Sequence, residues 1–254
     1  MNSSINKIIF GLLIMALSLV GAHAEETDPY ETVFFVGFEE SEGYELGALN
    51  GQCDWKVFNE NFNFRLVDDS ESYSGNNSVY VFTGDTKNSG SKKELVYENP
   101  DGMPVQFSFM IKPSFGPVRF LVFDANNNRI KKFAMNYQQL TLDNPFRTVN
   151  FPEELDTNAW YKVFFSFDPN DSFIEPIQIF PDGSTNAIIE TNAEYDTQGA
   201  AAGEPFYFAI ATEWTDTSTC SYIDDITVRA MTIPEPVFIG LAALAGLFLL
   251  RKRV

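Results

Sequence analysis

The chain has 254 residues, with 35 Asp and Glu against 17 Lys and Arg, a formal net charge of −18 and a single histidine. That balance excludes nucleic-acid binding, which needs clustered cations to neutralise phosphates. The lone His23 lies in a cleavable leader, so the remaining body has no imidazole for Ser-His-Asp or Cys-His nucleophiles, His-based zinc sites or general bases.

The leader spans residues 1–24. Lys7 supplies positive charge, Ile8 to Val20 is an apolar run, and Ala22-His23-Ala24 is a small-residue cleavage site, which predicts a signal peptide helix and a mature N-terminus at Glu25. Residues 25–231 follow as one body with strand character and almost no helical periodicity. Val33–Phe38 reads as a first strand, and Ser78–Phe82 as another after the turn-rich residues 73–77. In Val105–Ile111 the alternation puts Val105, Phe107, Phe109 and Ile111 on one face. Val118–Phe123 and Arg129–Met135 flank a hairpin-like Asp124-Ala125-Asn126-Asn127-Asn128. Trp160–Phe167 aligns Tyr161, Val163, Phe165 and Phe167. Ile174–Phe180 precedes a Pro181-Asp182-Gly183 turn, with Ala187–Glu190 returning from it. Phe206–Thr212 and Tyr222–Arg229 close the set. About eleven or twelve strands without intervening helices imply an antiparallel sandwich, all-β in class.

Cys53 and Cys220 are the only cysteines. An oxidising compartment favours a disulfide between them, which would tie the start of the body to its end; two free buried thiols are the alternative. Strict alternation through Tyr222–Val228 places Asp224 on the face of Tyr222, Ile226 and Val228, where a lone carboxylate is costly unless paired or coordinated.

Residues 232–254 have a three-part order: Pro234-Glu235-Pro236, fourteen apolar residues from Val237 to Leu250, then Arg251-Lys252-Arg253. The prolines hold the approach extended, and the basic cluster stays cytoplasmic. At 1.5 Å per residue the apolar run covers about 21 Å, short of the roughly 20 residues of a permanent spanning helix. The arrangement resembles the PEP-CTERM sorting signal of Gram-negative bacteria. That resemblance implies export, a transient inner-membrane anchor, processing by an exosortase-type enzyme and delivery to the cell surface or extracellular matrix. An ordinary C-terminal membrane anchor is the alternative.

Within the body, Gly37-Phe38-Glu39, Gly47-Ala48-Leu49-Asn50-Gly51-Gln52 and Trp55 resemble the opening of concanavalin A-like lectin/glucanase (laminin G-like) domains. Trp160-Tyr161-Lys162-Val163 with Asp182-Gly183, and Tyr222-Ile223-Asp224-Asp225-Ile226-Thr227-Val228, are similar to that fold's middle and last strands. Galactose-binding-like modules share the opening and closing patterns. The resemblance implies a jelly-roll sandwich, with Trp55 and Trp160 in the core. It also implies a structural Ca²⁺ where the first and last strands meet, with Glu39 and Asp224 or Asp225 as oxygen ligands. The alternative for these acids is hydrogen bonding to backbone at a strand end or bulge. Glucanases of this fold carry E-x-D-x-E or E-x-D-x-x-E, and neither pattern occurs here; Glu213-Trp214-Thr215-Asp216 has the wrong spacing. Trp214, among polar neighbours, is the candidate for glycan stacking.

The resulting expectation is an exported, surface-sorted, non-catalytic β-sandwich of the envelope or exopolysaccharide matrix, structural or adhesive. A carbohydrate-binding, lectin-like module is the alternative, and a glycoside hydrolase the third reading.

Overall fold

The computed structural model describes residues 28–58, 65–82, 90–95, 104–123, 129–143, 146–167, 175–193, 206–212 and 220–231. Where apolar side chains fall at every second position, a strand can turn one whole face out of water, and that pattern governs these residues. Among them lie sixteen strands: β1 (Tyr30–Val36), β2 (Gly47–Ala48), β3 (Lys56–Phe58), β4 (Arg65–Asp68), β5 (Ser78–Phe82), β6 (Gly90–Leu95), β7 (Val105–Lys112) and β8 (Val118–Phe123). The second half holds β9 (Arg129–Met135), β10 (Gln139–Asp143), β11 (Phe146–Asn150), β12 (Tyr161–Phe167), β13 (Glu175–Pro181), β14 (Ile189–Ala193), β15 (Phe206–Thr212) and β16 (Cys220–Met231). A 3₁₀ turn, Glu40–Glu42, follows β1.

The strands form two antiparallel sheets. One has nine strands in the order β14-β13-β12-β7-β16-β5-β4-β2, with β1 also paired to β16. The other has seven, in the order β11-β10-β9-β8-β15-β6-β3. At the centre of the larger sheet, β7 pairs with β12 from Tyr161↔Ile111 to Phe167↔Val105 and with β16 on its other side.

Phenylalanine joins the two layers. Phe107 and Phe165, from β7 and β12, lie face to face with centroids 5.0 Å apart. Phe109 stacks on Phe120 of β8 at 4.2 Å, and Phe133 of β9 meets Phe165 edge-on at 5.2 Å. All of these rings are buried, with Phe208 of β15 beside them. Each such side chain contributes about 1.5–3 kcal/mol of burial, and offset or edge-on geometry adds to it. The high Phe content of the sequence is thus the filling of a sandwich.

The expected strands recur, four with identical bounds and the others with shifts of one to three residues at one or both ends, the return strand beginning at Ile189 rather than Ala187. The Asp124–Asn128 connection lies outside the described residues. Two expectations are corrected. Cys53 and Cys220 are not joined in a disulfide. The Cys53 sulfur donates toward the Glu42 and Gly43 carbonyls at 3.5 Å, whereas Cys220 opens β16 with its sulfur 3.1 Å from the Tyr80 hydroxyl. Each is engaged with a different part of the sandwich. Trp55 is buried as expected, but Trp160 is half-buried rather than core, because it precedes Tyr161 and points opposite to that inward ring.

Candidate functional site

The last strand interrupts its own alternation. Ser221 and Ile223 point inward, then Asp224 is also fully buried, and the inward series resumes at Ile226, Val228 and Ala230. The register against β7 shifts between Asp224 and Thr227, and Asp225 adopts a left-handed φ of 47°. This is a β-bulge, a device that re-aims side chains. It parts Asp224 from the inward Ile226 and Val228: opposite Met110 of β7, Asp224 stays on the outer face with Tyr222 and is buried beneath the loop before β5, a correction to the single face that strict alternation predicts for all four.

Asp224 faces the loop that precedes β5. Its Oδ2 accepts hydrogen bonds from the amides of Tyr73 (2.9 Å) and Ser74 (3.2 Å), and its Oδ1 accepts from the Asp225 amide at 2.8 Å. Burial pushes this carboxyl up to about 7 despite the three donors. Asp225 Oδ1 accepts from the Ser74 hydroxyl at 2.7 Å. From the other side, Glu39 Oε1 accepts the amides of Asn76 (2.9 Å) and Asn77 (3.0 Å). Between them Gly75 has φ +60°, and a Cβ there would collide with the Glu39 carboxylate.

The structure therefore brings Glu39, Asp224 and Asp225 around one loop, where five backbone amides donate to Glu39 Oε1 and to both carboxylate oxygens of Asp224. No group of three His, Cys, Asp or Glu side chains among the described residues could hold a metal ion. The donor set does not fit the structural Ca²⁺ that the resemblance implies: Glu39 Oε1 and both Asp224 oxygens already accept backbone N–H groups, and Asp225 Oδ1 accepts the Ser74 hydroxyl.

The clamped loop carries Tyr73 to the outer face of the nine-stranded sheet. Its ring packs against Trp160 with centroids 5.8 Å apart, and its hydroxyl donates to Asp182 Oδ1 at 2.7 Å. That hydrogen bond, with some burial, raises the phenol's pKa, so it remains a neutral donor. Beside the pair opens a pocket of about 220 Å³ lined by Tyr73, Ser108, Met110, Lys162, Asp225 and Thr227. Lys162 makes no ion pair among the described residues. The volume is below the ~300–1,000 Å³ of pockets that enclose drug-sized ligands, and suits one small polar ring. An aromatic face, a carboxylate acceptor, hydroxyls and an ammonium donor meet at one place.

Glu213 and Trp214 lie outside the described residues. So do Ala24 with the signal segment, and the tail with Pro234, Glu235, Pro236, Arg251, Lys252 and Arg253. Sequence reading missed Tyr73, Lys162 and Asp182 as site residues and assigned Trp160 inward. The signal that could have found them is the D-G turn after β13, which returns Asp182 beside the start of β12.

No family model and no curated protein sequence matches the chain. Solved structures do match. Lectin UEA-II in complex with galactose has a TM-score of 0.50 at 8% identity, covering 80% of this chain and 100% of the lectin. The endo-β-1,4-glucuronan lyase of Trichoderma reesei also has a TM-score of 0.50, at 14% identity, covering 80% of this chain and 96% of the lyase. The fold is a jelly-roll β-sandwich. A sialidase is matched with a TM-score of 0.46, the chain spanning 17% of its length.

Proposed function

We propose that this body is a carbohydrate-binding module of an exported, surface-sorted protein, acting in adhesion or matrix organisation and without a catalytic step. The observation that carries the reading is the pocket beside the Tyr73–Trp160 pair, where the Tyr73 ring stands with Asp225, Thr227, Ser108 and Lys162. Sugars present an apolar ring face edged by hydroxyls, and such a site offers partners to both. A fold shared with a galactose-complexed lectin and a glucuronan lyase is compatible with this reading. The non-catalytic part rests on the sequence, which has no histidine in the body and no strand-borne E-x-D-x-E pattern. Export, exosortase processing and a transient inner-membrane anchor rest on residues 1–24 and 232–254.

Affinity electrophoresis of the full-length chain through gels containing soluble polysaccharides tests the binding. Retardation by at least one polysaccharide, abolished in the double variant Tyr73→Ala and Trp160→Ala, is the expected result. Unretarded migration through every gel would remove the proposal, and release of reducing or unsaturated ends would remove its non-catalytic part.

A further inference from the structure

The pocket lies beside a longer row, displaced from it along the strands. On the outer face of the nine-stranded sheet, Tyr222 of β16 lies opposite Tyr80 of β5 on one side and Lys112 of β7 on the other. Because Tyr161 lies opposite Ile111 and Pro181, the next position along sets Trp160 beside Lys112, with Asp182 donating its amide to the Trp160 carbonyl at 3.2 Å. One line across five strands thus reads Tyr80, Tyr222, Lys112, Trp160, Asp182. Alternation keeps it outward, since Val79, Val81, Ile111, Tyr161 and Ile223 are buried on the inner face.

The far end of the row is a second aromatic platform. The rings of Tyr80 and Tyr222 are 5.1 Å apart, and Phe82 stacks on Tyr80 at 5.4 Å with an interplanar angle of 25°. Polar groups edge it: the Ser70 hydroxyl lies 3.1 Å from the Tyr222 hydroxyl. Between the platform and Trp160 stands the Lys112–Glu71 ion pair at 2.8 Å. Three strand intervals separate Tyr80 from Trp160, about 14 Å at the usual spacing. One sugar ring cannot touch both ends; a chain of several rings can.

We propose that this face binds a neutral, unbranched polysaccharide across its strands, with Tyr80 and Tyr222 forming a second subsite beyond the Tyr73–Trp160 pocket. The inference rests on the carbohydrate-binding reading of the pocket and adds the ligand's class and direction. Alternation of ring faces with hydrogen-bonding groups along the row matches the alternation of ring faces and hydroxyls along a glycan. Charge selects neutrality. Carboxylates of Glu71, Asp182 and Asp225 outnumber the ammonium groups of Lys112 and Lys162 on this face, and the chain as a whole carries −18, so a polyanion is repelled.

The test is a size series, monosaccharide to hexasaccharide, cut from soluble β-glucan, xylan and galactan, with glucuronan fragments as the charged control. Each is titrated into the full-length chain in detergent. Affinity is expected to rise with length in a neutral series, and Tyr222→Ala to cost the longest member about tenfold, one aromatic contact's worth, while leaving the shortest binder unchanged. Tyr222→Phe, which keeps the ring, should keep the length dependence and shows that lost stacking is responsible. Binding of short sugars with no gain on lengthening overturns the second subsite and leaves the pocket standing. Tightest binding to glucuronan overturns the neutral class. Failure of every series to bind removes the pocket reading as well.

Discussion

Two tryptophan–tyrosine pairs in this sandwich have the same chemistry and opposite surroundings. Trp55 donates its indole N–H to the Tyr44 hydroxyl at 3.0 Å, and both pack on Phe38 where water does not reach. Burial drives the Tyr44 phenol well above its ordinary value. Trp160 instead meets Tyr73 at the surface, where the tyrosine hydroxyl turns to an exposed carboxylate. The first pair satisfies its polar atoms internally and so serves the fold. The second leaves ring faces and a carboxylate open to a ligand. What an aromatic pair does is thus decided by where its polar atoms find partners.

The comparison breaks most visibly by truncation. Trp55→Ala should destabilise the domain by about 3–5 kcal/mol, as large-to-small core changes do, read as a lower midpoint in urea. Next in size is Asp224→Ala, which strands the amides of Tyr73, Ser74 and Asp225. At about 1–3 kcal/mol for an orphaned buried donor, with water reaching part of the loop, a loss of about 2–3 kcal/mol is expected. This substitution should also weaken glycan binding, because the loop that presents Tyr73 is no longer held.

Asp224 also gives the domain a pH signature. Its folded value of about 7 stands above the ordinary 3.8, so between those limits the folded state binds a proton that the unfolded state releases. This contribution to stability is therefore fully present below about pH 4 and diminishes as pH rises to about 7. Asp224→Asn should flatten that slope in denaturation curves at about pH 5 and about pH 8. A slope unchanged in the variant would assign the dependence to other groups. Smaller again is the effect of Trp160→Ala on folding, under about 1 kcal/mol for a half-exposed side chain, against a large loss of glycan retention. Equal loss of stability in Trp55→Ala and Trp160→Ala would erase the distinction between the two pairs.

The sandwich was legible wherever alternation was strong. Val105–Ile111 and Trp160–Phe167 owe their period to cross-sheet Phe contacts, and these became β7 and β12. β6, Gly-Ser-Lys-Lys-Glu-Leu, has no apolar period, and β4 is four residues long; both take their strand state from neighbours that need pairing. At the site, sequence alone identified Glu39, Asp224 and Asp225 as unusual acids that converge near the first and last strands. It did not identify their partners, because a bulge shifts side chains by one position and leaves no mark in composition. Tyr73 was hidden for a related reason: it sits in a turn whose conformation is imposed by carboxylates distant in sequence.

The smallest expected effect is also the one that most sharply separates two uses of these acids. Were Ca²⁺ held by Glu39, Asp224 and Asp225, saturation at a hundred times its dissociation constant would add about 2.7 kcal/mol, or several degrees in Tm for a domain of this size. Five amides already direct their hydrogens at the Glu39 and Asp224 carboxylates, and a cation would have to approach against those positive ends. Thermal melts with excess Ca²⁺ and with chelator should therefore coincide. A rise of several degrees with Ca²⁺, lost in Glu39→Gln, would mean that the loop opens to let the metal replace the amides, and that the clamp on Tyr73 is an ionic one.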